Sequence, residues 1–191
     1  MKSITLHPVS SLAGAIACGF AFSLSSMTQL DGNSELIISG EQREILGHMT
    51  IEYLDDGQGG LTKTIRVTGV NVQIVNGLGA TNGYPTDPLT IDDVLTTTNG
   101  VGNLIVGYNE LGNPMGDNRT GSHNILVGIQ ASASSFGGTS AGFRNTVSGP
   151  YATISGGAQG LASGYGASIS GGIAGIAADA AHAYFSWRGR G

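Results

Sequence analysis

The sequence predicts an all-β fold, a parallel β-roll or β-solenoid with a short N-terminal helix and a β-hairpin cap. Three observations lead there. Glycine supplies 33 of the 191 residues. The fragments LIVG, ILVG, TSAG, TVSG, TISG, LASG and SISG close on glycines at 107, 128, 142, 149, 156, 164 and 171, separated by 21, 14, 7, 7, 8 and 7 residues. Charged residues make up only 11% of the chain, against about 25% in ordinary globular domains.

A seven-residue period can also describe a coiled coil. That structure needs large apolar residues at two positions per heptad, charged flanks and almost no glycine. A strand of three or four residues plus a glycine turn fills about seven residues, so two such units build a coil of about 14 that stacks on the next at about 4.8 Å. Two places before each glycine stand Ile105, Leu126, Ser140, Val147, Ile154, Ala162 and Ile169, and these are expected to point inward. The repeat positions assigned on this basis are Ile105, Gly107, Leu126, Gly128, Val147, Gly149, Ile154, Gly156, Gly164, Ile169 and Gly171.

Residues 1–29 read as an export signal. Lys2 supplies a positive start, SLAGAIACGFAFSL an apolar stretch, and residues 23–26 a cleavage region of small side chains. A buried helix is one alternative reading and lipidation at Cys18, in the run AIAC, is another. Cys18 is the only cysteine, so a processed chain would have neither a disulfide nor a thiol-based metal site. No other stretch approaches the ~20 apolar residues of a membrane span. A net charge of −5 and scattered basic residues argue against a nucleic-acid partner.

Residues 30–100 are expected to form an N-terminal cap region. Ser39 and Gln42 have the spacing of a capping box and predict a helix over 41–48, whose Ile45, Leu46 and Met49 would dock on the next segment of chain. TIEYL at 50–54 and LTKTIRVTG at 61–69 flank DDGQGG and predict a hairpin. VNVQIVNG at 70–77 alternates in the opposite parity to Ile65 and Val67, which places a bulge or corner at Gly69. Residues 77–99 read as a long surface connection, 101–178 as the roll and 179–191 as a tail. Small inward residues make a thin coil, and residues 122–187 contain only Arg144 and Asp179 as charges. A thin coil buries little per repeat, so stability needs neighbours in the stack, end caps or association of several chains, and a homotrimer is the preferred solution.

The stretch TVSGPYATISGGAQGLASGYGASISGG resembles the head repeats of trimeric autotransporter adhesins. Across roughly 103–176 this implies a left-handed parallel β-roll of three chains, exported and displayed at the bacterial cell surface or in the matrix. It also implies contact with an extracellular matrix or glycan surface. The preceding block, from EILGHMTIEYLDDGQGG to DNRTGSHNILVG, resembles a group of uncharacterised secreted bacterial proteins that carry such repeats behind it. The adhesins continue into a coiled-coil stalk and a membrane β-barrel, whereas this sequence runs to AYFSWRGRG with neither.

No catalytic, cofactor-binding or metal-binding residue is assigned from the sequence. His7, His48, His123 and His182 never fall at metal-ligand spacing and read as surface or packing histidines. Asp55 to Gly60 offers carboxylates to Ca²⁺, but the ligand spacing of known calcium loops is missing and a plain turn is expected. Asn118-Arg119-Thr120 is a glycosylation sequon. The sequence therefore points to a non-enzymatic structural or adhesion module. Asp92-Asp93 and Glu110 with Asp117 are acidic side chains that a hydrolase could pair, but solvated loop carboxylates are expected, and Tyr108, Tyr151, Tyr165, Tyr184 and Trp187 could form a sugar-stacking surface or pack the roll. The alternative is a β-helix protein that binds or degrades polysaccharide, using Glu110, Asp117 and nearby tyrosines in the long loops.

Overall fold

The computed structural model describes residues 38–179 and 183–184. The expected export segment, His7, Cys18, His182 and Trp187 lie outside these residues. The chain divides into two compact units, Met1–Asn71 and Val72–Gly191. Residues 72–100, assigned to the cap from the sequence, thus belong to the unit that carries the coils.

The first unit contains α1 (Gly40–Gly47), β1 (Met49–Asp55) and β2 (Leu61–Val67). The capping box forms in both directions: Gln42 N donates to Ser39 Oγ at 3.1 Å, and Ser39 N donates to Gln42 Oε1 at 2.9 Å. These bonds satisfy donors that a helix start otherwise leaves open. Ile45 and Leu46 do not dock as expected and remain exposed. The two strands pair antiparallel with Ile51 opposite Ile65. The turn between them is closed by its own aspartates: Asp55 Oδ1 accepts from Gly57 N, while Asp56 Oδ1 accepts from Gln58 N and Gly60 N. After β2 the chain turns at Gly69 with φ +76°, and residues 70–77 form no strand. The parity change at Gly69 therefore marks a corner that leaves the sheet.

In the second unit, β3 (Leu104–Val106), β4 (Ile125–Ile129), β6 (Thr139–Phe143), β8 (Thr153–Ile154), β10 (Ser168–Ile169) and β12 (Ala183–Tyr184) stack in that order into one parallel sheet. β5 (Ser132–Ala133), β7 (Thr146–Val147), β9 (Leu161–Ala162) and β11 (Ile176–Ala177) stack into a second. From β4 to β11 each coil contributes one strand to each sheet, giving a β-solenoid of about four turns, with β3 and β12 extending the larger sheet alone. Thr139 pairs with Thr153, which pairs with Ser168, so the coil length passes from 14 to 15 residues.

Between the sheets lies a single file of apolar side chains. Leu126, Ile154 and Ile169 line one side, and Ala133, Val147, Ala162 and Ala177 the other, all of them buried. Most coils match a large residue with a small one, as Ile154 with Ala162 and Ile169 with Ala177. One coil reverses the order, with Ser140 on the first sheet and Val147 on the second. Pairing a large residue with a small one keeps the summed volume of successive coils similar, as close packing requires.

The lengthening of the coils shifts the glycine column. Gly107, Gly128, Gly142, Gly157 and Gly172 all have φ between +92° and +118°. A Cβ on Gly142 would run into the carbonyl oxygen of Gly157 in the next coil. Gly156 and Gly171, assigned as repeat positions, stand one residue before this column and face open space. Gly149 and Gly164 belong to a second close approach, where a Cβ would meet the backbone of the following coil. Ile105, expected to point inward, is 52% exposed because β3 is the edge strand of its sheet.

Candidate functional site

The outer face of the sheet β5-β7-β9-β11 is covered on one half and open on the other. The coil from Leu104 to Ile125 is 21 residues long, and its extra length is spent in the loop 107–118. Asn113 Nδ2 in this loop donates to Gln130 O at 2.8 Å and Asn145 O at 3.2 Å, and Ser132 Oγ donates to Asn118 O at 3.0 Å. Ser132 and Thr146 are buried beneath it.

The Asp117 carboxylate is committed to holding the loop's shape. Both of its oxygens accept from Gly112 N at 3.0 Å, and Oδ1 also accepts from Asn113 N at 3.1 Å. Those amides, Asn113 first and then Gly112, hold the Asp117 carboxyl below the usual aspartate range, with help from the Arg119 guanidinium. Arg119 Nη2 in turn donates to the backbone oxygen of Glu110 at 2.8 Å. Glu110 enters the network through its backbone, while Asp117 is occupied by amides, so the two acidic residues of the enzymatic alternative play different structural parts.

The other half of the face borders a groove of about 430 Å³. Ser134, Ser148 and Ser163, one per coil, provide a column of hydroxyls along its floor. Phe136, Pro150 and Tyr165 form the neighbouring column. The opposite wall is the segment 91–98, from which Ile91, Asp93, Thr96 and Thr98 line the groove. Asn82 fastens that segment from beneath, its fully buried amide donating to Asp87 O and Thr90 O, while Thr97 N donates to Asn82 O.

Among the described residues, the side-chain oxygens of Asp93, Thr96, Thr98, Ser134, Ser148 and Ser163 make no hydrogen bond within the chain. The backbone donors beside the floor are already used: Ser134 N reaches Val147 O, Ser148 N reaches Ala162 O, and Ser163 N reaches Ala177 O. The groove therefore offers hydroxyls and one carboxylate, with no spare strand edge.

Compared with protein-family models, curated proteins and solved structures, the chain matches none.

Of the aromatic residues singled out from the sequence, the structure brings Tyr151 and Tyr165 together. Tyr151 meets Phe136 edge-on at 5.3 Å and Tyr165 edge-on at 6.0 Å, a column in which Phe136 is buried and Tyr165 remains 45% exposed. Tyr108 stands exposed in the long loop. His123 serves packing: its Nε2 accepts from Asn76 N at 3.1 Å, and its Nδ1 donates to Thr81 O at 3.0 Å. His48 does the same in the first unit, with Nδ1 donating to Thr68 O at 3.0 Å. Among the described residues no three His, Cys, Asp or Glu side chains gather as a metal site.

Sequence reasoning singled out Asp93 only as a loop carboxylate and missed the serine column and the threonines that face it. The serines recur at separations of 14 and 15, but among so many serines that spacing carries meaning only once the sheet is known. It also missed the buried asparagines Asn76, Asn82, Asn109, Asn113, Asn124 and Asn145, most of which bind backbone at the corners of the unit. A local signal exists in NLIVG, NILVG and NTVSG, each of which places asparagine directly before the strand.

Proposed function

We propose that this protein is a non-enzymatic structural and adhesion module, exported and displayed at the cell surface or in the matrix, and assembled as a homotrimer. The observation that carries this reading is the uncharged outer face of the larger sheet. Its two outward columns run Leu104, Ile125, Thr139, Thr153, Ser168 and Val106, Val127, Ala141, Ser155, Ser170. No charge interrupts them, and Leu104, Val106, Ile125 and Val127 are between 37% and 52% exposed. A contiguous apolar surface on a stack of thin coils favours association of like chains. The hairpin of the first unit adds a second exposed apolar pair in Ile51 and Ile65, and an isolated two-stranded hairpin is marginal in water.

Light scattering during size exclusion of the full chain tests the assembly. Three times the chain mass is expected, and a substitution Val127→Lys should shift the population toward monomer. A monomer at every concentration would overturn the trimer.

A further inference from the structure

We infer that the groove between the segment 91–98 and the serine column binds a neutral oligosaccharide laid across successive coils. This deepens the adhesion reading, on which it rests for its biological role, by naming the partner class and the residues that meet it.

The two walls carry chemistry suited to a sugar chain. Ser134, Ser148 and Ser163 repeat at the coil spacing of about 4.8 Å, so a chain lying along the stack meets a hydroxyl at each step. Thr96 and Thr98 face them from the other wall, and every one of these oxygens is without a protein partner among the described residues. Each hydroxyl can donate and accept, which matches the dual character of sugar hydroxyls. Asp93, also unpartnered among the described residues, supplies acceptor oxygens for a diol. Tyr165 closes the groove beside Ser163, the last serine of the column, with a ring held edge-on by Tyr151 and half open to solvent. Such a ring offers an apolar face to the C–H side of a sugar.

Competing occupants fit less well. A peptide docking as an added strand needs free backbone donors and acceptors, and those of the floor strands are spent within the ladder. A nucleic acid needs basic side chains, and none lines the groove. Few buried contacts and no charge pair are available, so the affinity of one groove should be modest, with a Kd on the order of 0.1–1 mM.

The test is calorimetry together with amide chemical shifts on the full chain, using cellohexaose, maltohexaose and the fully N-acetylated chitohexaose as neutral probes. Binding of at least one is expected, with shifts confined to residues 91–98, 134–136, 148–150 and 163–165. Ser148→Phe fills the floor and should weaken binding at least about tenfold. Asp93→Ala combined with Thr98→Val alters only the opposite wall, and should weaken it similarly in case the phenylalanine disturbs the stack. Binding of none of the three probes, shifts elsewhere, or unchanged affinity in both variants would overturn the inference. Light scattering on the same sample separates the two proposals: a monomer that binds refutes the trimer alone, and a trimer that does not bind refutes the groove alone.

Discussion

Asn103 Oδ1 accepts from both the backbone nitrogen and the side-chain amide of Asn124, at 2.8 and 3.2 Å, and so ties two successive coils at the point where each enters the larger sheet. The tie continues upward, because Asn124 Oδ1 accepts from Gly138 N at 2.8 Å and its amide donates to Ser135 O at 3.0 Å. Asn145 repeats the device at the opposite corner, accepting from Gly160 N at 2.8 Å. Corners interrupt the ladder and would leave buried backbone groups open, and asparagine can satisfy a donor and an acceptor together.

Replacing Asn124 by alanine should therefore cost about 1–3 kcal/mol in chemical denaturation, since it strands the Gly138 amide and leaves the Ser135 carbonyl with Ser122 N alone. Asn124→Asp should be at least as damaging, because a carboxylate would face the Ser135 carbonyl and Asn103 Oδ1 with nothing to donate. A loss below about 0.5 kcal/mol for the alanine variant would show that water replaces the amide at no cost.

Two glycines in neighbouring coils should respond differently. Gly142 has φ +110° and no room for a Cβ beneath Gly157, so Gly142→Ala should destabilise by about 3 kcal/mol or more. Gly156 faces open space without a positive φ, and Gly156→Ala should change stability by less than about 1 kcal/mol in either direction. Thermal melts of the two variants side by side check the pair.

Ser140 occupies the inward column between Leu126 and Ile154, and its buried hydroxyl has no partner among the described residues. Ser140→Ala removes that oxygen without adding volume against Val147. The expected result is a gain of about 1 kcal/mol, measured by urea unfolding. A loss would mean that the hydroxyl is bonded in solution.

Acid should weaken the long loop. Asp117 has its folded-state pKa depressed by the amides of Asn113 and Gly112, so its stabilising effect is fully present above the unfolded value of about 3.9 and is lost as pH falls through the lower folded value. The protection of the amides of residues 112–113, measured as exchange relative to the intrinsic rate at each pH, should fall over that acid window. Asp117→Asn should show raised exchange already at neutral pH and lose the acid dependence.

Much of the fold was legible in the order of residues alone. Ser39 and Gln42 announced the helix start, Asp55 to Gly60 the hairpin turn, and the glycine-closed fragments the stacked coils. The inward assignments of Leu126, Val147, Ile154 and Ile169 agree with their burial, because alternation along a strand is a local property. The phase was harder. Beyond Gly142 the coils gain a residue, so Gly157 and Gly172 carry the left-handed turn in place of Gly156 and Gly171. The next corner along is turned by Gln130, Arg144, Gln159 and Ala174, with φ of +56° or +57°. Nothing in those side chains advertises a left-handed conformation. The ladder bonds on either side impose it, as where Arg144 N reaches Ile129 O at 3.0 Å and Gln159 N reaches Phe143 O at 2.9 Å.

That the chain stacks follows from residue order, since short branched strands closed by glycine satisfy their backbone and bury their one inward side chain by lying on the next coil. Which groups the surface offers depends instead on contacts between distant segments. Whether Asp117 is a free carboxylate or a loop clamp, and whether Ser148 faces solvent or the wall carrying Asp93, depends on how the segments 91–98 and 107–118 lie across the sheet. Those placements rest on long-range hydrogen bonds such as Asn99 N to Ser122 Oγ and Asn113 Nδ2 to Asn145 O, which join residues far apart in the chain and leave no periodic trace in it.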